Sequence, residues 1–404
     1  MNAQVSFLDG TLSLIHIPLD LYSNLLQSIL KVLLPPSQDP TSLKAAEGLT
    51  IENYSHAFLN ISVTPIECSI VCNSAWAESV FEPAIKRLPK DQARAVAISK
   101  DTYAALSVYG TGMDAGSRVA DLTSPLALAN IPIFFITTYY SDFILVPVKD
   151  RMAVEKALLA KGFVFSEDDA SRLVSAQPSP TGINQRFNFI SHSRAPSQDS
   201  SSDPPVSPPP PSSVNDLQQR TFDLLKRRNV VPHVEPDLTL AQCTGIRHHP
   251  QPSAVMALSR GSSHGSRRGS RPSSRPGWLD TVDTKLYTAL VSALASQPRF
   301  LSMTLAHEDP PSLLLDRELL GLFGDSLVGP TDGALVPIFL DLADLPFEAT
   351  GIVSGVAGKL VRSMRIADGA ELSYLSTARA GAVILSREQA AVALGVLGPL
   401  LGEE

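Results

Sequence analysis

The feature that most constrains this chain is a hairpin that occurs twice. The first copy runs Ile131–Thr138, turns through Tyr139–Asp142 and returns as Phe143–Val146. The second runs Glu371–Thr377, turns through Ala378–Gly381 and returns as Ala382–Leu385. Thr137-Thr138 and Ser376-Thr377 stand at matching points, and each copy leads into a helix-like segment that opens on charged residues. A helix-like segment also precedes each copy. An internal repeat of this kind bounds the fold before any single motif does.

The N-terminal part follows the same grammar. Thr11–Ile17 predicts a strand, and the apolar spacing from Leu21 to Leu33 predicts a helix stopped by Pro35-Pro36. Ala57–Val63 and Ile66–Cys72 predict paired strands, Ser74–Leu88 a helix, and Ala93–Ile98 a strand. The order is β-α-β-β-α-β. It repeats as strand Tyr103–Tyr109, helix 115–129, the first hairpin, a helix from Met152 to Leu159 and a short strand Phe163–Phe165.

The middle of the chain differs. The 404 residues include 32 prolines, and runs such as Pro208–Pro211 cannot fill a core. Residues 167–232 therefore read as a disordered Pro/Ser-rich linker, in which 184–190 and 214–228 are short segments able to order. Residues 246–276 read as a disordered basic insertion, with six arginines and no acidic residue. A third unit surrounds that insertion: strand Leu238–Cys243, helix Trp278–Ala295, strands Phe300–Leu305 and Ser312–Leu315, and short helix Glu318–Phe323. The fourth has strand Leu335–Leu340, helix Gly351–Ser363, the second hairpin, helix Arg387–Leu397 and a short end strand. The expected fold class is α+β, with four tandem ferredoxin-like βαββαβ units in two halves. Their spans are 1–100, 101–166, 233–330 and 331–404.

Composition excludes several functions. The net charge of −7 argues against a nucleic-acid binder. No apolar run is long enough for a membrane span. Three cysteines and no secretory pattern suggest a cytoplasmic or nuclear chain without a disulfide framework, and cytoplasmic is the expectation. Gly110–Ala115 loosely fits a dinucleotide fingerprint, but the next strand turns straight back as a hairpin, so no Rossmann unit follows. Gly261–Gly265 matches a nucleophile elbow by letter and lacks the strand that motif requires. Cys68 and Cys72 read as core. No catalytic triad, paired carboxylates, metal ligand set or cofactor motif emerges, and the expectation is a non-enzyme. Arg267-Arg268-Gly269-Ser270 fits the preference of basophilic kinases and makes Ser270 a candidate modification site.

Four such units without catalytic residues resemble ACT domains, small regulatory modules that bind amino acids. Pro125-Leu126-Ala127, Ile131, Thr138-Tyr139 and Asp142–Val146 look very like the CASTOR proteins, cytosolic arginine sensors of the TOR kinase pathway. Phe347, Gly351-Ile352-Val353, Ala357-Gly358, Leu360 and Ser376-Thr377 resemble that family's last unit. The resemblance places an amino acid between the second and fourth units. The implied ligand-binding residues are Pro132 and Ile133, then Glu348, Ala349, Thr350, Gly351 and Ile352, then Ser376, Thr377, Ala378 and Gly381. Ala349 and Gly381 stand where the family keeps acids, so a buried guanidinium would lack its partner and arginine is disfavoured. Pro132 also brings no backbone N–H. The implied function is an amino-acid sensor acting on a partner complex, with a homodimer as a further expectation. The alternatives are a ligand-free interaction scaffold and a regulatory subunit of an amino-acid biosynthetic enzyme.

Overall fold

The computed structural model describes residues 3–34, 58–109, 115–166, 210–246, 283–306, 309–346, 349–364 and 371–402. The strands are β1 (Gln4–Phe7), β2 (Leu12–Ile17), β3 (Phe58–Val63), β4 (Cys68–Asn73), β5 (Ala97–Ile98), β6 (Tyr103–Tyr109), β7 (Phe134–Thr137) and β8 (Asp142–Pro147). They continue as β9 (Val164–Phe165), β10 (Leu240–Gly245), β11 (Leu301–Ala306), β12 (Ser312–Asp316), β13 (Leu327–Val328), β14 (Leu335–Asp341), β15 (Ser373–Ser376) and β16 (Ala380–Ser386). The longer helices are α1 (Tyr22–Leu33), α2 (Arg118–Leu128), α3 (Arg151–Leu159), α4 (Val214–Arg227), α5 (Thr284–Ala295), α6 (Ile352–Met364) and α7 (Arg387–Leu401).

All the strands belong to one sheet that closes on itself. Its order is β5-β2-β4-β3-β11-β12-β10-β14-β16-β15-β7-β8-β6-β1-β9, with β13 beside β10 and a closing contact between β2 and β6. Two groups of four strands have the order fourth-first-third-second: β5-β2-β4-β3 and β13-β10-β12-β11. These two groups join edge to edge along β3 and β11, through a six-residue antiparallel ladder from Phe58↔Ala306 to Val63↔Leu301. The remaining strands join at β7 and β15 through the single pair Ile136↔Leu375. Each closure between the two halves of the ring is also a single pair, Leu12↔Tyr103 and Leu240↔Leu335.

The strands are buried on both faces, which accounts for their nearly continuous apolar reading. On β2, Leu12 and Leu14 face one core while Ile15 and Ile17 face another. The inner core contains Phe58, Phe143, Phe300 and Phe339, drawn from both halves of the ring. One outer core holds α1 and α5, and the other holds α2, α6 and α7. The architecture is thus helices, sheet, sheet, helices.

Several expectations need correction. Of the expected linker 167–232, residues 210–232 are described, and the segment marked as able to order, 214–228, is helix α4. Ser213 caps α4 by accepting the Asp216 N–H, and Leu217, Thr221 and Leu225 form a buried stripe at helical spacing. The earlier linker residues, 184–190 among them, lie outside the described residues, as do most of the basic insertion and Ser270. The strand expected over 93–98 is helix Lys90–Ala95 followed by the two-residue β5. Ile131–Ile133 precede β7 instead of forming part of it. No end strand follows the last helix among the described residues, because α7 continues to bury Leu397 and Leu401. β1 lies within the span assigned to the first unit, yet it pairs with β6 and β9 of the second.

Candidate functional site

The site lies where α2 ends, where β14 passes into α6, and where β15 turns into β16. Asn130 takes the left-handed conformation after α2 (φ 58°), which aims Ile131–Ile133 toward β7. Gly351 has φ 83°, a conformation that favours glycine. The space above Gly351 is also filled: a Cβ there would stand 2.5 Å from Leu217 Cδ1. Thr221 Oγ1 donates to the Gly351 carbonyl at 3.2 Å. Helix α4 therefore holds the start of α6 in place.

A cavity of about 60 Å³ opens beside these elements. Ile133 lines it from the α2–β7 connection, and Ala349, Gly351 and Ile352 line it from the β14–α6 connection. Ser376, Thr377 and Ala378 line it from the hairpin. The structure thus brings together seven of the eleven residues singled out in the sequence. Pro132, Thr350 and Gly381 lie outside the lining. Thr350 instead donates to Asn130 Oδ1 at 2.9 Å, bridging the end of α2 and the approach to α6. Glu348 and Phe347 lie outside the described residues.

The seam beneath the cavity has a local two-fold pattern around Ile136↔Leu375. The Phe135 N–H donates to Ser376 Oγ at 3.0 Å, and the Tyr374 N–H donates to Thr137 Oγ1 at 3.0 Å. Side-chain hydroxyls here do the work of ladder carbonyls. The turn that follows β15 is closed by Thr377, whose N–H donates to the Ala380 carbonyl at 2.9 Å. Thr138 closes the turn after β7 onto Ser141 in the same way, and Thr64 closes the turn after β3 onto Glu67.

Residues that the sequence reading missed include Phe134, Ser354 and Tyr374, all in the lining. Tyr374 was legible in principle, because it shares a strand face with Ser376 by the period of two. Its ring is buried, and burial holds its phenol well above the usual range. Its Oη makes no hydrogen bond among the described residues, and a Cβ on Gly381 would stand 2.4 Å from it. Tyr374 therefore fills the place that an acidic side chain at position 381 would need. The N–H groups of Ile352, Val353 and Ser354 open α6, and Gly351 before them has no side chain to cap them. No charged residue lines the cavity among the described residues.

Nothing in the described residues groups three or more His, Cys, Asp or Glu side chains as a metal site. No helix among them is long and apolar enough to cross a membrane.

Residues 98–160 match the family model of the ACT domain. The chain therefore contains an ACT domain within a mixed α/β structure. Similar solved structures include protein Atu0741 from Agrobacterium tumefaciens, at 19% identity over 41% of this chain and 93% of that one, with a TM-score of 0.26. Aspartate kinase from Synechocystis is similar at 11% identity over 99% of this chain and 56% of that one, with a TM-score of 0.29. The regulatory subunit of aspartate kinase from Thermus thermophilus is similar at 14% identity over 39% of this chain and 97% of that one, with a TM-score of 0.25. No curated protein matches significantly.

Proposed function

We propose that this chain is a non-enzymatic, amino-acid-responsive regulator built from four ACT-like units, with the ligand seated between the second and fourth. The observation that carries the reading is the cavity itself. It unites Ile133, the Gly351-Ile352 turn and Ser376–Ala378 from separate parts of the chain. The start of α6, opened by Gly351, offers N–H donors to an α-carboxylate, as helix N-termini do. Tyr374 Oη and Ser376 offer neutral polar contacts beside it. The volume of about 60 Å³ suits a short side chain, since one water needs roughly 10–15 Å³ by this kind of measure. Arginine fits poorly, having neither room nor a carboxylate partner among the described lining residues.

In this reading the ligand bridges two units and alters the affinity of the whole chain for a partner complex, which is coupling by differential binding. The resemblance to CASTOR proteins suggests nutrient signalling on the TOR pathway, in the cytoplasm, as a monomer or homodimer. Calorimetry of the full chain against the twenty amino acids tests the proposal. One small neutral amino acid is expected to bind, and Ala349→Trp, which fills the cavity mouth, is expected to abolish the heat. Silence from all twenty by a folded protein would favour a ligand-free scaffold, which the filled position at Gly381 also favours.

A further inference from the structure

The other half of the ring contains a second cavity, larger than the first and built in the same way. It is lined by Leu19 and Tyr22 from the β2–α1 connection and by Val63, Thr64 and Pro65 from the turn after β3. Gln297, Pro298 and Arg299 complete it from the connection between α5 and β11. These three parts have counterparts beside the first cavity. The strand-to-helix connection of the first unit stands for that of the fourth, and the Thr64 turn stands for the Thr377 turn. Gln297, left-handed at φ 54°, stands for Asn130. The volume is about 310 Å³, within the range of about 300–1,000 Å³ found for small-molecule sites.

The chemistry of the two cavities differs. Leu19, Tyr22, Val63, Pro65 and Pro298 give this one apolar walls. Glu235 and Leu238, from the segment ahead of β10, close one side. Glu235 is half-buried, and its carboxylate has no ion pair or hydrogen bond among the described residues. Arg299 does not neutralise it, because that guanidinium is already held by Asp316 Oδ2 at 3.0 Å and by Glu318 Oε1 at 3.3 Å. The cavity therefore presents an apolar body site with an unpaired negative charge at its edge.

We infer that this cavity, between the first and third units, binds a small ligand with an apolar body and a protonated amine, the amine pairing with Glu235. The inference does not rest on the reading of the first cavity, since it uses none of the same residues. A free alkylamine and an apolar amino acid share this chemistry, and the test separates them. Calorimetry of the full chain is run with isoamylamine, with leucine, and with isovalerate, the matching carboxylate without an amine. Isoamylamine is expected to bind and isovalerate is not. Leucine binding as tightly as isoamylamine assigns the site to an amino acid, and weaker leucine binding assigns it to a free amine. Glu235→Gln, at a half-exposed position, should weaken amine binding about tenfold or more, as the loss of a charge-assisted hydrogen bond predicts. Leu19→Trp, at an exposed lining position, should abolish it by filling the space. Failure of both amines to bind the folded protein, binding of isovalerate, or an affinity unchanged in Glu235→Gln would overturn the inference.

Discussion

Glu67 shows how one side chain can join two distant turns. It is fully buried, on the turn after β3. Its Oε1 accepts from Thr377 Oγ1 at 2.6 Å and from the Arg379 N–H at 2.5 Å, while Oε2 meets His16 Nδ1 at 2.5 Å. Alanine at this position leaves Thr377 Oγ1, the Arg379 N–H and His16 Nδ1 without their shared buried acceptor, so Glu67→Ala should cost about 3 kcal/mol. Glutamine keeps one acceptor oxygen and offers an N–H to His16, so Glu67→Gln should cost only about 1 kcal/mol. Urea unfolding of both variants checks the order, and equal losses would contradict it. Because Thr377 lines the first cavity, the alanine variant should also weaken any ligand bound there.

Asp142 ties the stability of the fold to pH. Burial is the main influence on it and raises its pKa from 3.8 to about 6, against the opposing pull of Arg118, whose Nε lies 2.6 Å from Oδ2. A folded-state pKa above the unfolded value means that the folded form binds the proton more tightly. The stability this contributes is full below pH 3.8 and is lost as pH rises through about 6. Asp142→Asn lacks that titration. Its stability relative to wild type should therefore improve as pH is raised across this window, by at most about 1.4 kcal/mol per pH unit. Denaturation curves collected across the window would show it, and a constant difference would refute it.

Among the elements, α4 has the most specific docking. It lies on α6 where Gly351, Gly355 and Gly358 leave the backbone bare, and a Cβ at Gly355 would stand 2.7 Å from Thr221 Oγ1 and Cγ2. Gly355→Ala should destabilise the protein by about 2 kcal/mol through overpacking and speed amide exchange over 214–227. Adding Thr221→Ala removes Oγ1 and Cγ2 but leaves its Cβ at 2.8 Å, so it should recover only part of the loss, a coupling that independent sites would not show. Little of this docking was legible. The segment 214–228 reads as able to order within a proline- and serine-rich stretch, but no local signal names α6 as its partner. The repeated hairpins were legible because alternating apolar residues end at short polar turns. β1 was missed because four residues make a weak pattern, and only its partner strands define it. In the site, the Gly351 turn and Ser376-Thr377 were legible through the family resemblance, whereas Glu67 was not. A single glutamate beside a turn carries no sequence signal of the turn from Thr377 to Ala380 that closes over it.

For the whole molecule, the decisive fact is which strands meet. The first group of strands pairs with the third through β3 and β11, and the second meets the fourth through β7 and β15. Chain order would instead suggest that neighbouring units pack as halves. The inner core follows the actual pairing, since Phe58 packs near Phe143 with ring centroids 5.0 Å apart, and Phe300 near Phe339 at 6.1 Å. Cutting the chain between residues 166 and 210 would therefore expose two bare strand edges and the inner core of each fragment. Buried polar groups along the β3–β11 ladder add to the cost, because Asn60 Nδ2 donates to the Met303 carbonyl and to Thr304 Oγ1, and Ser62 Oγ meets Ser302 Oγ at 2.8 Å. Asn60 Nδ2 finds its partners across the cut, while Ser62 Oγ keeps Asn60 Oδ1 at 2.8 Å on its own side. Residues 1–166 and 210–404 expressed apart should each self-associate or aggregate, whereas co-expression should return a one-to-one complex with a single cooperative unfolding transition. Size-exclusion chromatography with light scattering distinguishes the outcomes. A first fragment that stays monomeric and unfolds cooperatively by itself would show that the closed ring is not what holds its units together.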